Sequence, residues 1–188
     1  MTLTASRAIQ PAGRLVCVVG PSGAGKDTLI DLARAECAGD PRFVFVQRLI
    51  TRPPSPGERH QPIDEAAYAC ERDAGAYALY WRAHGLGYAV PATAAQAIAE
   101  GRVVVCDLSR AALAGARSRF PASVVLVTAP AELRAERIAA RGREDVADAR
   151  ARLERSPPAQ VEADLAIENI GPAEHGAARL AAFLRSLA

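Results

Sequence analysis

The fold is decided by one stretch near the start of the chain, Leu15-Val-Cys-Val-Val-Gly-Pro-Ser-Gly-Ala-Gly-Lys-Asp-Thr28. Its first five residues are apolar and mostly β-branched, which predicts a strand buried on both faces, as in a parallel sheet. Glycines follow, and residues 27–38 then place apolar side chains at helical spacing. A strand, a glycine-rich turn and a helix in this order predict a phosphate-binding loop, because backbone N–H groups and the helix N-terminus face the anion.

The residues of this loop are the predicted nucleotide contacts. In the usual motif a lysine reaches the β- and γ-phosphates, and the Ser or Thr after it contacts Mg²⁺. Here Asp27 follows the lysine and Thr28 comes next, so either side chain could supply an oxygen to the metal. A glycine-rich turn that binds no ligand is the alternative interpretation. The predicted ATP contacts are Gly20, Pro21, Ser22, Gly23, Ala24, Gly25, Lys26, Asp27 and Thr28.

The lysine of the loop is the only lysine in the chain. Of 23 basic residues, 22 are arginine and one is Lys26. The preference for arginine and alanine is typical of a GC-rich genome, so the surviving lysine points to a chemical need. A compact ammonium fits between two phosphates as a point charge, whereas a planar guanidinium is larger and fork-shaped. We therefore predict that Lys26 is catalytic.

Composition excludes several classes of protein. The length of 188 residues suits one domain with a sizeable core, and the net charge of +2 is too small to indicate a nucleic-acid binder. The apolar runs are too short for a membrane span, and no apolar leader precedes residue 14. The four cysteines lack the spacing of a metal site, which favours reduced thiols. We expect a cytoplasmic protein with neither nucleic-acid nor membrane partners.

Apolar periodicity predicts strands that alternate with helices, hence an α/β fold with a parallel five-stranded core sheet covered on both faces. Segments 51–90 and 137–155 do not fit the alternation and are expected to close over a ligand at the carboxyl ends of the strands. The predicted core strands are 15–19, 43–50, 103–107, 123–128 and 165–168, with a short strand at 76–81 that pairs with 88–91. The predicted helices are 27–38, 66–72, 92–100, 111–119, 130–141, 145–155 and 172–187.

Several polar residues fall in segments expected to face this ligand. Arg52 and Arg59 could bind a substrate phosphate through two N–H groups, although a solvated loop arginine is the alternative. Asp107 ends the third core strand beside the phosphate loop, where a helix N-cap, which Ser109 could equally provide, is the alternative role. Trp81 could line the ligand site or be buried in a small core of its own.

Four features resemble the guanylate-kinase-like nucleoside monophosphate kinases over about residues 14–185. They are the phosphate loop, the Ile50-Thr-Arg-Pro…Gly-Glu58 loop, the Trp81…His84-Gly85…Tyr88 segment and the Arg137-Ile-Ala-Ala-Arg-Gly142 pattern. Within that group the Gly-Lys-Asp ending of the loop and the Trp-x-Ala-His-Gly-Leu-x-Tyr segment are most similar to the ribose 1,5-bisphosphate phosphokinases, which make 5-phosphoribosyl 1-diphosphate in phosphonate degradation.

The resemblance implies one P-loop NTPase domain of three layers. The core would comprise 14–50, 91–136 and 156–188, with a substrate-binding segment at 51–90 and an arginine-rich lid at 137–155. ATP with Mg²⁺ and ribose 1,5-bisphosphate are the implied ligands. The implied catalytic residues are Lys26, Asp107, Arg137, Arg141 and Arg152, the substrate contacts Arg52, Glu58, His84 and Tyr88, and the Mg²⁺ contacts Asp27, Thr28 and Asp107.

Two departures from guanylate kinases favour a sugar acceptor over a nucleotide. Tyr80 and Ser109 stand where those enzymes carry the acidic residues that read guanine. A site without hydrogen-bond partners for a base should bind that base poorly. Guanylate kinase or another nucleotide kinase remains the alternative, and a non-catalytic guanylate-kinase-like module is a lesser one because such modules lose the phosphate loop.

Overall fold

The computed structural model describes residues 13–54, 59–140 and 161–188. Its core is a five-stranded sheet in the order β2-β7-β1-β8-β9, and every neighbouring pair is parallel. The parallel core sheet predicted from the sequence is confirmed, with the phosphate-loop strand at its centre. The core strands are β1 (Arg14–Val19), β2 (Phe43–Phe45), β7 (Val103–Asp107), β8 (Ala122–Thr128) and β9 (Leu165–Glu168).

Helices cover both faces of this sheet. Val16 and Val18 of β1 face a hydrophobic cluster with the first and last helices, while Leu15 and Cys17 face a second cluster on the opposite side. This alternation follows from the period of two along a strand and gives the three layers predicted. The helices of the described residues are α1 (Lys26–Glu36), α2 (Glu65–Asp73), α3 (Ala92–Ala99), α4 (Leu113–Arg119), α5 (Ala131–Ala139) and α6 (Ala173–Ser186).

A second sheet of four strands carries most of the inserted segment, in the order β4-β3-β6-β5. The predicted single strand at 43–50 is wrong, because the chain leaves the core sheet after Val46, whose N–H donates to Val105 O, and then joins this second sheet. Polar Gln47 and Arg48 mark the crossing. The strands are β3 (Leu49–Ile50), β4 (Gln61–Pro62), β5 (Tyr77–Ala83) and β6 (Leu86–Pro91).

The predicted pairing of 76–81 with 88–91 is confirmed, since β5 and β6 form an antiparallel hairpin. Its turn is His84-Gly85, with φ of 51° and 75°. Positive φ at both central residues matches the twist of a two-residue hairpin, and His tolerates this region better than most side chains. The tip of the hairpin therefore holds His84 at a fixed position.

Most other predicted boundaries agree with the structure to within two residues. The helix predicted at 111–119 begins as a 3-10 turn, Arg110–Ala112, before α4. The helix predicted at 145–155 lies outside the described residues. Among the helices described, none is both long enough and apolar enough to cross a membrane.

Candidate active site

The phosphate loop lies at the carboxyl end of β1, the central strand of the core sheet. Gly25 is the N-cap of α1 and has φ 91° and ψ 20°, a left-handed conformation. A Cβ at this position would collide with the side-chain amide of Asn169, so the loop requires glycine here. The Lys26 ammonium donates to Gly20 O at 3.0 Å and to Pro21 O at 3.4 Å. Lys26 is the first residue of α1.

Two side chains hold the loop from behind through its carbonyl oxygens. The buried amide of Asn169 donates to Ala24 O at 2.9 Å. Arg137 of α5 donates to Gly23 O and Ala24 O at 3.5 Å each, and to Asn169 O at 3.1 Å. Arg137 thus braces the loop in this structure and is not among the side chains that line the cleft beside it. Its predicted role in compensating phosphoryl charge stays a prediction.

A cleft of about 410 Å³ opens beside the loop, between the core sheet and the second sheet. It brings together most of the sequence-predicted residues that the structure describes. Thr28 is exposed and does not line it, whereas Asp27 does. The predicted residues that line the cleft are Gly20, Pro21, Ser22, Gly23, Gly25, Lys26, Asp27, Arg52, Arg59, His84, Tyr88 and Asp107.

A partly buried ion pair forms the wall between the phosphate loop and the second sheet. Arg48 Nη2 and Asp107 Oδ2 are 2.5 Å apart, and their side chains are 16% and 12% exposed. Burial lowers the pKa of Arg48, but the Asp107 carboxylate, with smaller contributions that include Asp27, brings that pKa above its ordinary value. Asp107 Oδ1 is buried and has no hydrogen-bond partner among the described residues. The N-cap alternative for Asp107 is not observed, and Ser109 makes no side-chain cap hydrogen bond.

The second sheet contributes an aromatic side chain, Tyr88 of β6, to the lining of the cleft. Tyr88 stacks on Trp81, with ring centroids 5.3 Å apart and an angle of 8° between the planes. Trp81 is buried, as one of the two interpretations predicted, but the small core of its own is wrong, because Trp81 packs in the main core cluster with residues of β1 and β7. The loop arginine Arg52 donates to Pro53 O at 3.2 Å, and Arg52 O lies 3.2 Å from His60 Nε2.

Comparison with known proteins adds the family to this geometry. A guanylate kinase from Anaplasma phagocytophilum shares the fold, with a TM-score of 0.65 over 94% of this chain and 87% of that one, at 16% identity. The ribose 1,5-bisphosphate phosphokinase PhnN of Methylobacterium radiotolerans is 58% identical over 175 residues, 93% of this chain and 98% of the relative. The chain belongs to the ribose 1,5-bisphosphate phosphokinase family.

The phosphokinase of Acidiphilium cryptum extends the match, with 47% identity over 93% of this chain and 94% of the relative. No protein-family model matches the chain. The family resemblance read from the sequence is therefore confirmed by the relatives, and the guanylate-kinase-like fold by the solved structure.

Tyr80 and Ser109, which the sequence resemblance predicts to replace guanine-reading acidic residues, are placed differently relative to the cleft. Tyr80 is 50% exposed and is not among the side chains that line the cleft. Ser109 lines it, and its hydroxyl is buried without a hydrogen-bond partner in the described part of the chain. The described acidic residues of the cleft are Asp27 and Asp107, both on the side of the phosphate loop.

Three basic or titratable residues that line the cleft were missed by sequence reasoning: Arg48, His60 and Arg110. Arg48 gave a signal, because it interrupts an apolar strand run. His60 and Arg110 gave none, since their orientation depends on the second sheet and on a 3-10 turn. Three predicted site residues lie outside the described residues: Glu58, Arg141 and Arg152.

The side chains of the cleft suit Mg²⁺ that is held partly by the phosphates of a ligand. The described residues contain no cluster of three or more His, Cys, Asp or Glu side chains that could hold a metal ion alone. Mg²⁺ is commonly held by one or two carboxylates and by substrate phosphates. Asp27 and Asp107 line the cleft, and the unpartnered Oδ1 of Asp107 suits such a ligand set.

Proposed function

We propose that the protein transfers the γ-phosphoryl group of ATP to the 1-phosphate of ribose 1,5-bisphosphate, giving ADP and 5-phosphoribosyl 1-diphosphate. The observation that carries this proposal is a complete phosphate loop that opens into a cleft lined by four described arginines: Arg48, Arg52, Arg59 and Arg110. ATP and a sugar bisphosphate are both highly anionic, and cations on facing walls suit that pair. The relatives named above are ribose 1,5-bisphosphate phosphokinases, which supports this acceptor.

The acceptor needs no general base. The second pKa of a phosphomonoester is about 6, so the attacking phosphate oxygen is already anionic at neutral pH. That oxygen forms a bond to the γ-phosphorus while the bond from this phosphorus to the β–γ bridging oxygen of ATP breaks, and ADP leaves with the electron pair. The chain therefore has to align two polyanions and compensate their charge.

Residues on each side of the cleft would contribute to this alignment and charge compensation. The phosphate loop, kept in shape by Asn169 and Arg137, would bind the ATP phosphates, and the Lys26 ammonium would leave its carbonyl partners for them. Mg²⁺ would neutralise part of the phosphate charge when it binds with ATP, and Asp27 and Asp107 would hold it. Thr28 is exposed on α1, so we favour Asp27 of the two predicted alternatives.

The second sheet would bind the acceptor, and the lid would contact the transferred phosphoryl group. Arg52 would bind an acceptor phosphate, and His84, Tyr88 and Glu58 would bind the ribose or its phosphate. Arg137, Arg141 and Arg152 would add positive charge around the transferred group, Arg137 from its place behind the phosphate loop. A nucleotide acceptor is the alternative that the fold shared with guanylate kinase favours. We place the enzyme in the cytoplasm, where ATP is available and free thiols persist.

Phosphorus NMR of the reaction mixture tests the proposal. With ATP, Mg²⁺ and ribose 1,5-bisphosphate, we expect the 1-phosphate signal to be replaced by two coupled diphosphate signals, with one ADP formed per acceptor consumed. The K26A variant is the control and should form no product, since it lacks the ammonium of the loop. ATP hydrolysis with no new diphosphate on the sugar would contradict the proposed reaction.

A further inference from the structure

Arg48 lines the cleft between the phosphate loop and the second sheet. It lies where the chain crosses from the core sheet to the second sheet, and Gln61 N donates to Arg48 O at 2.8 Å. The backbone of Arg48 is therefore fixed by the first pairing of the second sheet. Its side chain runs back toward the carboxyl end of β7, where Asp107 pairs in register with Val18 of β1.

The guanidinium of Arg48 has N–H donors that make no hydrogen bond to any described residue. It carries five N–H donors, and within the described part of the chain it donates only to Asp107. Its centre lies 5.8 Å from the centroid of the Tyr88 ring, and its charge interacts with that of Asp27 next to Lys26. The remaining N–H groups are therefore at the boundary between the phosphate loop and the acceptor wall.

Stability alone gives little reason to keep this pair. Removing an arginine and an aspartate from water costs free energy that their attraction only partly offsets, and apolar replacements are often as stable. An ion pair with unused donors, lining a cleft that takes phosphates, suits a ligand better than it suits the core. The carboxylate of Asp107 would fix the direction of the guanidinium and so preorganise it.

We propose that Arg48 binds the acceptor phosphate on the side of the phosphate loop and selects for a phosphorylated sugar over a nucleotide base, with Asp107 as its positioning residue. The inference rests on the proposed function. A guanidinium matches two phosphate oxygens through parallel N–H groups, whereas a neutral base would leave much of this charge unmatched. Arg48 and Arg52 line the same cleft, so Arg48 would be a second phosphate-binding arginine of the acceptor site.

Steady-state kinetics of the R48Q variant test the inference. We expect the KM for ribose 1,5-bisphosphate to rise about 10- to 100-fold, the usual effect of losing charge-assisted hydrogen bonds, while the KM for ATP changes less than about threefold. The control is R42Q, which breaks an exposed arginine–aspartate pair of 2.7 Å and should behave as the wild type. An unchanged acceptor KM, or equal losses for both substrates, would overturn the inference.

A second measurement separates phosphate binding from the alignment of Asp107. Calorimetric titration of ribose 1,5-bisphosphate into D107N and into R48Q/D107N should show weaker binding to the double variant by about 10-fold or more. Equal affinities would mean that Arg48 acts only through Asp107, which contradicts the proposal. If R48Q does not fold, R48K replaces it and should give an intermediate acceptor KM, because the charge stays and the fork is lost.

The two proposals fail in different ways. A wild-type enzyme that turns over ribose 1,5-bisphosphate while R48Q keeps its acceptor KM would refute the role of Arg48 and leave the function standing. A wild-type enzyme that does not phosphorylate the sugar bisphosphate would refute the function itself, and with it the role of Arg48.

Discussion

Truncation of Asn169 to alanine tests whether the phosphate loop is held in shape from behind. The change removes one buried hydrogen bond, from the Asn169 amide to Ala24 O at 2.9 Å. Among the described residues, Ala24 O then keeps only the long 3.5 Å contact with Arg137. A lost buried hydrogen bond together with a poorly satisfied carbonyl costs about 2 kcal/mol. For a chain of this size that loss lowers Tm by about 4–8 °C.

The same truncation should weaken ATP binding, because the loop would hold its phosphate-binding shape for less of the time. If about 1.4 kcal/mol of the loss falls on the loop, affinity for ATP drops about tenfold. Thermal unfolding followed by circular dichroism and calorimetry with a non-hydrolysable ATP analogue measure the two effects. The control is Q96A, which removes an exposed amide that donates to Glu100. An N169A protein with wild-type Tm and wild-type ATP affinity would refute the bracing role.

Four further predictions concern the loop and the thiols. The K26R enzyme should lose several orders of magnitude in kcat while it still binds ATP, and near-normal turnover would contradict the argument for a compact ammonium. The G25A enzyme should bind ATP weakly in calorimetry, because the added methyl group would collide with the Asn169 amide, and wild-type affinity would contradict the requirement for glycine. Burial raises the pKa of Cys17 and of Cys106 to about 12, so a thiol reagent at pH 8 should label exposed Cys70 first. The pKa values of these two thiols are higher in the folded state than the ordinary value of 9.0. Their contribution to the free energy of unfolding should therefore be complete below pH 9 and should fall between pH 9 and about pH 12. A urea midpoint that rises over this pH range would contradict the burial of the two thiols.

The sequence predicted correctly the features that depend on a local residue pattern and on its position in the order of strands. The continuous apolar run before Gly20 predicts a buried parallel strand, and the glycines and the lysine after it predict the loop. Asp107 could be placed beside that loop because carboxyl ends of parallel strands share one edge of a sheet, and the register of Asp107 with Val18 confirms the placement.

The sequence did not predict features that depend on contacts between residues far apart in the chain, such as the path of a strand or the orientation of a side chain. The run from Phe43 to Ile50 reads as one strand, yet its two halves pair with different sheets. Arg48 was missed for the same reason, since its approach to Asp107 joins residues 59 positions apart. The resemblance assigns Arg137 to the lid, and no periodicity predicts that its guanidinium lies on the loop carbonyls.

The choice of acceptor is the central claim, and a comparative assay tests it most directly. The measurement is kcat/KM for ribose 1,5-bisphosphate and for GMP, with the same enzyme at saturating ATP and Mg²⁺. The cleft is lined by arginines that suit phosphates, and its described acidic residues, Asp27 and Asp107, both lie on the side of the phosphate loop. We predict a preference for the sugar bisphosphate of at least about 10³-fold, because guanidinium groups that bind a second phosphate would be left unpaired by a neutral base. A clear preference for GMP would contradict the account.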